Sequence, residues 1–189
     1  MQSRATSPLT YSLHQQTLEQ IEREFGTGAV PQVFSLLKSQ PALLNHLWGQ
    51  FYTLILHGDL PKMLKEMVGL VVATATHCDH IRLVLMQSLV QQYADQRTLT
   101  AIIQEQYEVA EVSHATLAVL QFTAIAITNR SASGALTKSK WQLLHHKTQQ
   151  ALNDTGLEEG EQVELVATIA LFEQLCMVAN LLKLESDTA

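Results

Sequence analysis

Apolar residues recur along this chain with the period of an α-helix, and no run sustains the two-residue alternation of a half-buried strand bounded by turns. In TYSLHQQTLEQIEREFG, Leu13, Leu18, Ile21 and Phe25 share roughly one helical face, and Gly26 supplies a stop. Pro31 opens a short helical turn through Leu36 and Leu37. Pro41 opens a longer helix, PALLNHLWGQFYTLILHG, with Leu44, Leu47, Trp48, Phe51, Leu54 and Ile55 inward and His57-Gly58 ending it. Proline just inside a start and glycine just past an end is the expected asymmetry. Asp59 and Pro61 start a further helix that becomes apolar nearly all round in MVGLVVATA. A helix with no polar face belongs in a core.

The same period predicts helices from about His77 to Tyr93, a short one from Thr98, and a long one from Val109 to Asn129. Others are predicted around Trp141 to Leu152, and from about Gln162 to Leu184. The fold class is therefore all-α, with about eight to nine helices. Residues 10–185 read as one domain, between a flexible N-terminal segment (1–9) and a short tail (186–189). The Ser/Gly/Lys stretch NRSASGALTKSK, at 129–140, is the natural seam between two halves.

A chain of 189 residues is long enough to bury a real core. Charged residues make up only 16% of it, against about 25% in an average domain. That leaves too little charge to cover a lone globule, so a homo-oligomer (dimer, trimer or hexamer) is expected. The net charge is −6 and the twelve Lys and Arg are scattered, which excludes the basic stripe that nucleic acid requires. Two cysteines cannot build a secreted disulfide framework, so a reducing, cytoplasmic compartment is expected. The opening MQSRATSPLTYSLHQQ has no apolar core of a signal peptide, and the greasy stretch Val109 to Thr128 is interrupted by Glu111, His114 and Gln121. No membrane partner is expected.

The chemistry concentrates in residues 66–85. Glu66 stands at the edge of the apolar run KMLKEMVGLVVATA, and Cys78 follows in ATATHCDHIRL. On one straight helix the twelve-residue step spans roughly 18 Å, too far for a proton relay. The two residues meet only if the chain breaks and the next helix folds back, and Thr74 to His77 is the plausible break. Cys78 then stands in the first turn of the next helix, where unpaired N–H groups and the helix dipole favour a thiolate. His77 and His80 are placed to tune it, and a buried Glu66 nearby would take up or deliver a proton.

Glu66, eleven residues, then Cys78-x-His80, after GTGAVPQVFSLLKSQPALLNHLW, resembles the alkylhydroperoxidase D/carboxymuconolactone decarboxylase family. ALNDTGLEEGEQVELVATIALFEQLCMVANLLKLE looks like the C-terminal helices of its peroxidase-related subgroup, so the resemblance runs from about Gly26 to Glu185. The family motif is Glu, eleven residues, Cys-x-x-Cys, three residues, His. The resemblance implies a redox dithiol served by a glutamate and histidines that relay protons, with Glu66, Cys78 and His80 as the catalytic residues here. The motif then breaks: the second cysteine position is Ile81 and the final histidine position is Leu85. The resemblance assigns attack on peroxide to that second cysteine, so the ordinary dithiol cycle is closed to this chain. Leu85 equally puts the decarboxylase branch in doubt. Cys176, in the apolar helix LFEQLCMVANLL, reads as an inert packing residue, with pairing to Cys78 the lesser alternative, since sequence does not give the geometry.

Three readings of Cys78 stand open: a small helix-start residue without chemistry, a single reactive thiol, and one member of a metal site. For the last, His77 and His80, one turn apart, would share a face with Glu66 as a third ligand. Glu111 and His114 form a single Glu-x-x-His, where a di-iron bundle needs two and further glutamates. His145 and His146 diverge by about 100° around their helix and are poor co-ligands. Trp48, Phe51 and Tyr52 read as packing, and GTGAVP lacks the strand a dinucleotide site needs. No cofactor is implied.

Two functions are therefore expected, beside a third, metal-assisted chemistry at Glu66, His77 and His80. One is an antioxidant, peroxidase-like oxidoreductase reduced to thiol or peroxide reactivity at Cys78, served by a thiol reductant. The other is a non-catalytic oligomeric module in which Ile81 and Leu85 line a pocket for a small apolar ligand.

Overall fold

The computed structural model describes residues 8–26, 30–132 and 138–184, and among these every regular element is helical. They divide into two compact units at His57/Gly58. The expected seam at 129–140 lies partly outside the described residues, as do the extreme termini assigned to a flexible segment and a tail.

The first unit contains α1 (Pro8–Phe25), α2 (Gln32–Leu36) and α3 (Pro41–Phe51), with α3 running on into a π-helical stretch at Tyr52–Leu56. Its aromatic residues pack on one another. The ring of Phe34 meets Trp48 edge-on at 5.4 Å and Phe51 at 5.3 Å, while Trp48 and Phe51 stack at 5.8 Å. The Trp48 indole N–H donates to Gln20 Oε1 at 3.0 Å, so the one polar atom of that ring is satisfied.

The second unit is built around α4 (Lys62–Ala75), whose residues Lys65 to Thr74 are all buried, as its lack of a polar face predicts. Packed on it are α5 (Asp79–Gln91), α6 (Gln96–Ile103), α7 (His114–Ala132) and α9 (Glu159–Leu181), while α8 (Lys138–Asn153) packs against α7. Met67, Leu70 and Val71 of α4 share a core with Leu89, Leu99, Ile102, Tyr107 and Leu120. Where α9 crosses α4, Gly69 faces Phe172 so closely that a Cβ would lie 2.6 Å from its ring. Only glycine fits there without displacing a buried phenylalanine.

Three helices start away from their predicted positions because polar caps fix them. The Asp95 carboxylate accepts from the Thr98 N–H at 2.8 Å, starting α6 at Gln96. The Ser113 hydroxyl accepts from the Thr116 N–H at 3.1 Å, and the predicted helix from Val109 begins at His114 instead. Glu158 and Glu161 form a reciprocal capping box that starts α9 at Glu159. α9 is long and apolar enough to cross a membrane by composition alone, but half of its apolar window is buried inside the protein. It also carries Glu164, which forms a buried ion pair with Lys65 at 3.0 Å and accepts from the N–H groups of Asp59 at 2.8 Å and Leu60 at 3.2 Å. Those two amides are at the approach to α4, so one carboxylate both neutralises a core lysine and pins the start of the central helix.

Candidate active site

The turn that places Cys78 is short and fully specified. α4 ends in a Schellman motif: the His77 N–H donates to Thr74 O at 3.1 Å and the Cys78 N–H to Ala73 O at 2.8 Å. His77 takes the left-handed conformation this requires, with φ of 52°. Cys78 is at once the last residue of that motif and the N-cap of α5, its carbonyl accepting from the Arg82 N–H at 3.0 Å. The break predicted at Thr74 to His77 is thus present, and α5 folds back along α4.

That fold-back does not bring Glu66 to Cys78. The Glu66 carboxylate accepts hydrogen bonds from the Ser88 hydroxyl at 3.0 Å and from the Gln92 amide, with Lys62 Nζ at 3.7 Å. Ser88 is ten residues beyond Cys78, about 15 Å along the axis of α5. In antiparallel helices a residue early in the first meets a residue late in the second, which is why Glu66 finds the far end of α5. His80 is buried in the first turn of α5, but residues two apart on a helix do not face each other. His77 is exposed. Among the described residues no three His, Cys, Asp or Glu side chains come together in a group that could hold a metal ion.

The residue that does meet Cys78 is Cys176. The two thiols interact with each other, and each residue is 1% exposed. A second contact fixes the register of α9 here: Asn180, one turn beyond Cys176, donates from Nδ2 to Thr76 O at 3.2 Å. The Thr76 side chain also lies beside the Cys176 thiol. Cys176 is buried, as expected of a packing residue, and its neighbour there is Cys78. The only trace of this pairing in the sequence was the presence of a second cysteine and, four residues on, a polar Asn in an apolar helix.

The pair is electrostatically asymmetric. The hydrogen bond with Cys176 is the largest influence on Cys78, lowering its pKa from 9.0 to about 7. Burial works against this, the Ile81 backbone amide and the Arg82 charge support it, and Asp79 opposes it. Cys176 is pushed the other way, first by the same hydrogen bond and then by burial, with Thr76 opposing. The shared proton therefore belongs to Cys176, and Cys78 is the sulfur that accepts it as a thiolate.

Ile81 and Leu85 are buried, 5% and 6% exposed. Three clefts elsewhere in this unit measure about 560, 330 and 220 Å³, and none of the three is lined by Cys78, Ile81 or Leu85. Glu111 pairs with Arg97 at 3.2 Å on the surface, and His145 lines the smallest of these clefts.

Neither a protein-family model nor a curated protein matches the sequence. Solved structures do. The chain is similar to an uncharacterized peroxidase-related protein from Silicibacter sp. TM1040, with a TM-score of 0.73 at 18% identity over 97% of this chain and 88% of that one. It is also similar to the alkylhydroperoxidase AhpD core, uncharacterized peroxidase-related protein of Ralstonia eutropha JMP134, with a TM-score of 0.71 at 20% identity over 98% and 93%. A third similar structure is the debrominase Bmp8, with a TM-score of 0.68 at 15% identity over 99% and 90%. A cysteine-to-alanine variant of Bmp8 in complex with 2,3,4-tribromopyrrole is likewise similar, with a TM-score of 0.67. The class is thereby defined: an all-α protein with the alkylhydroperoxidase D-like fold of the peroxidase-related proteins.

Proposed function

We propose that the protein is a thiol-dependent oxidoreductase that reduces hydroperoxides, with Cys78 as the reacting residue. The observation that carries this reading is the placement of the Cys78 sulfur. Cys78 is the N-cap residue of helix α5, and interaction with a second thiol leads the causes that lower its pKa to about 7. The fold shared with peroxidase-related proteins supports it. In the first step the Cys78 thiolate attacks the distal peroxide oxygen, the O–O bond breaks, and the alkoxide leaves as an alcohol after protonation. The product on the protein is Cys78 sulfenic acid. The cycle needs a reducing, cytoplasmic setting and an external thiol to restore the enzyme.

The test is brief exposure of the reduced protein to hydrogen peroxide or an alkyl hydroperoxide in the presence of dimedone, read by peptide mass spectrometry. An adduct on Cys78, or its loss into a disulfide, is expected in the wild type, and no oxidation in Cys78→Ser. A Cys78 that stays a free thiol under excess peroxide would overturn the reading. The homo-oligomer also belongs to this proposal, supported by the low charge content of the chain.

A further inference from the structure

Ile81 occupies the position where a second redox cysteine would follow Cys78 by three residues, so no local dithiol is available. A sulfenic acid that meets no thiol goes on to irreversible sulfinic acid under continued oxidant, so a thiol held beside it protects the cycle. Yet the folded chain does set a thiol against Cys78, brought from the far end of the sequence on α9. We propose that Cys176 is the resolving cysteine of this protein, closing a reversible Cys78–Cys176 disulfide between the α4–α5 turn and helix α9. The inference rests on the hydroperoxide reading above and assigns its second step.

Three features of the structure support it. The two side chains interact with each other, and both are buried, each residue 1% exposed. Asn180, which donates to Thr76 O at 3.2 Å, holds α9 against the turn two residues from Cys78. The proton distribution also suits the roles. Cys78, carrying the thiolate, is the sulfur that attacks, while Cys176 retains a proton until it is needed.

The chemistry balances. Cys78 thiolate and a hydroperoxide give Cys78 sulfenic acid and an alcohol, with one proton taken up. The Cys176 sulfur then attacks the sulfenic sulfur, the S–OH bond breaks, and its proton leaves with the hydroxyl as water. The two sulfurs close to about 2.0 Å in the disulfide. An external dithiol returns both residues to thiols by exchange and is itself oxidised to a disulfide. Each turnover thus reduces one peroxide and consumes one dithiol.

The experiment compares wild type, Cys176→Ser and Cys78→Ser after a stoichiometric dose of hydrogen peroxide. The samples are quenched with iodoacetamide and read by intact mass and non-reducing peptide mapping. The wild type is expected to lose both alkylatable thiols together and to yield a crosslinked peptide pair containing Cys78 and Cys176 in a monomeric chain. A dithiol should reverse this. Cys176→Ser is expected to stop at a dimedone-reactive Cys78 and then proceed to sulfinic acid. If the wild type instead accumulates sulfenic and sulfinic acid on Cys78 as fast as Cys176→Ser does, the resolving role is overturned while the peroxide reading stands. A crosslink between chains rather than within one overturns it too. If peroxide leaves Cys78 untouched in every variant, the peroxide reading itself fails. A diamide arm then separates the two ideas: closure by diamide supports the thiol pair, and failure to close refutes it.

Discussion

At the scale of single residues, the behaviour of the site follows from how one proton is divided between two sulfurs. The hydrogen bond from Cys176 is the leading reason that the Cys78 pKa is near 7, and burial of Cys78 acts in the opposite direction. The rate of Cys78 alkylation by iodoacetamide should therefore rise with pH around a midpoint near 7, not near the ordinary 9.0. Cys176→Ala removes the favourable contribution and leaves the burial penalty, so the midpoint should move up to 9 or beyond. A midpoint that does not move in Cys176→Ala would show that the two thiols are not coupled. The same shifts set a stability profile. A depressed Cys78 contributes stability that is fully present above its unfolded pKa of about 9 and is lost as pH falls through about 7. Cys176, raised, contributes stability that is present below its unfolded value and lost as pH rises above it.

The site was partly legible at this scale. Thr74 to His77 marked the break, and the helix start at Cys78 followed from it. The partner of Cys78 was not legible, because which face of α9 meets the turn is decided by packing. Gly69 against Phe172 sets how closely α4 and α9 approach, and that distance is not encoded in the spacing between Cys78 and Cys176. Glu66 shows the converse. Its spacing to Cys78 matched a family motif, but the fold-back of α5 gives its carboxylate to Ser88 and Gln92.

At the scale of elements, four helices end in the same way and none uses glycine to do it. His77, Tyr93, Glu105 and Lys183 all sit in the left-handed region, with φ between 51° and 62°. Each donates its N–H back three residues, and the following N–H reaches back five, to Ala73, Leu89, Ala101 and Ala179 respectively. This is why helix ends were harder to place from the sequence than helix faces: the usual glycine signal marks only Gly26 among the described positive-φ helix stops of the first unit and is missing at these four. A left-handed L-residue costs roughly 1–2 kcal/mol, against which glycine loses about 0.5–1 kcal/mol of backbone entropy. Tyr93 is 95% exposed, so its removal sacrifices almost no packing. Tyr93→Gly should therefore stabilise the protein by about 0.5–1 kcal/mol. Thermal unfolding should shift upward by roughly 1–4 °C, and a fall in the midpoint would contradict this account of the α5 end.

At the scale of the whole molecule, the fold class was legible because the helical period is a property of every segment and needs no tertiary information. The division at His57/Gly58 was not, since the sequence there reads only as a helix stop and the Ser/Gly-rich stretch lies near 129–140 instead. The low charge content favours association, and the exposed apolar side chains of α9 are the surface on which the proposed homo-oligomer is tested. Val163, Val166, Met177 and Leu181 are exposed on α9, at 66%, 47%, 57% and 74%, and Ala170 is exposed between them. The spacing of three, four, seven and four residues keeps these on one stripe, opposite the buried face that carries Leu165, Phe172 and Cys176. Two copies packing along such a stripe would cover apolar surface that water otherwise solvates, on the back of the same helix that presents the second thiol. Light scattering after size exclusion should therefore give a mass that is a multiple of 21.0 kDa, and Met177→Glu with Val166→Glu should shift it toward one chain. The double variant should keep the Cys78 alkylation profile of the wild type, because neither residue is on the buried side of α9. A wild-type mass of one chain at tens of micromolar would remove the homo-oligomer from the proposal, whatever the thiols do.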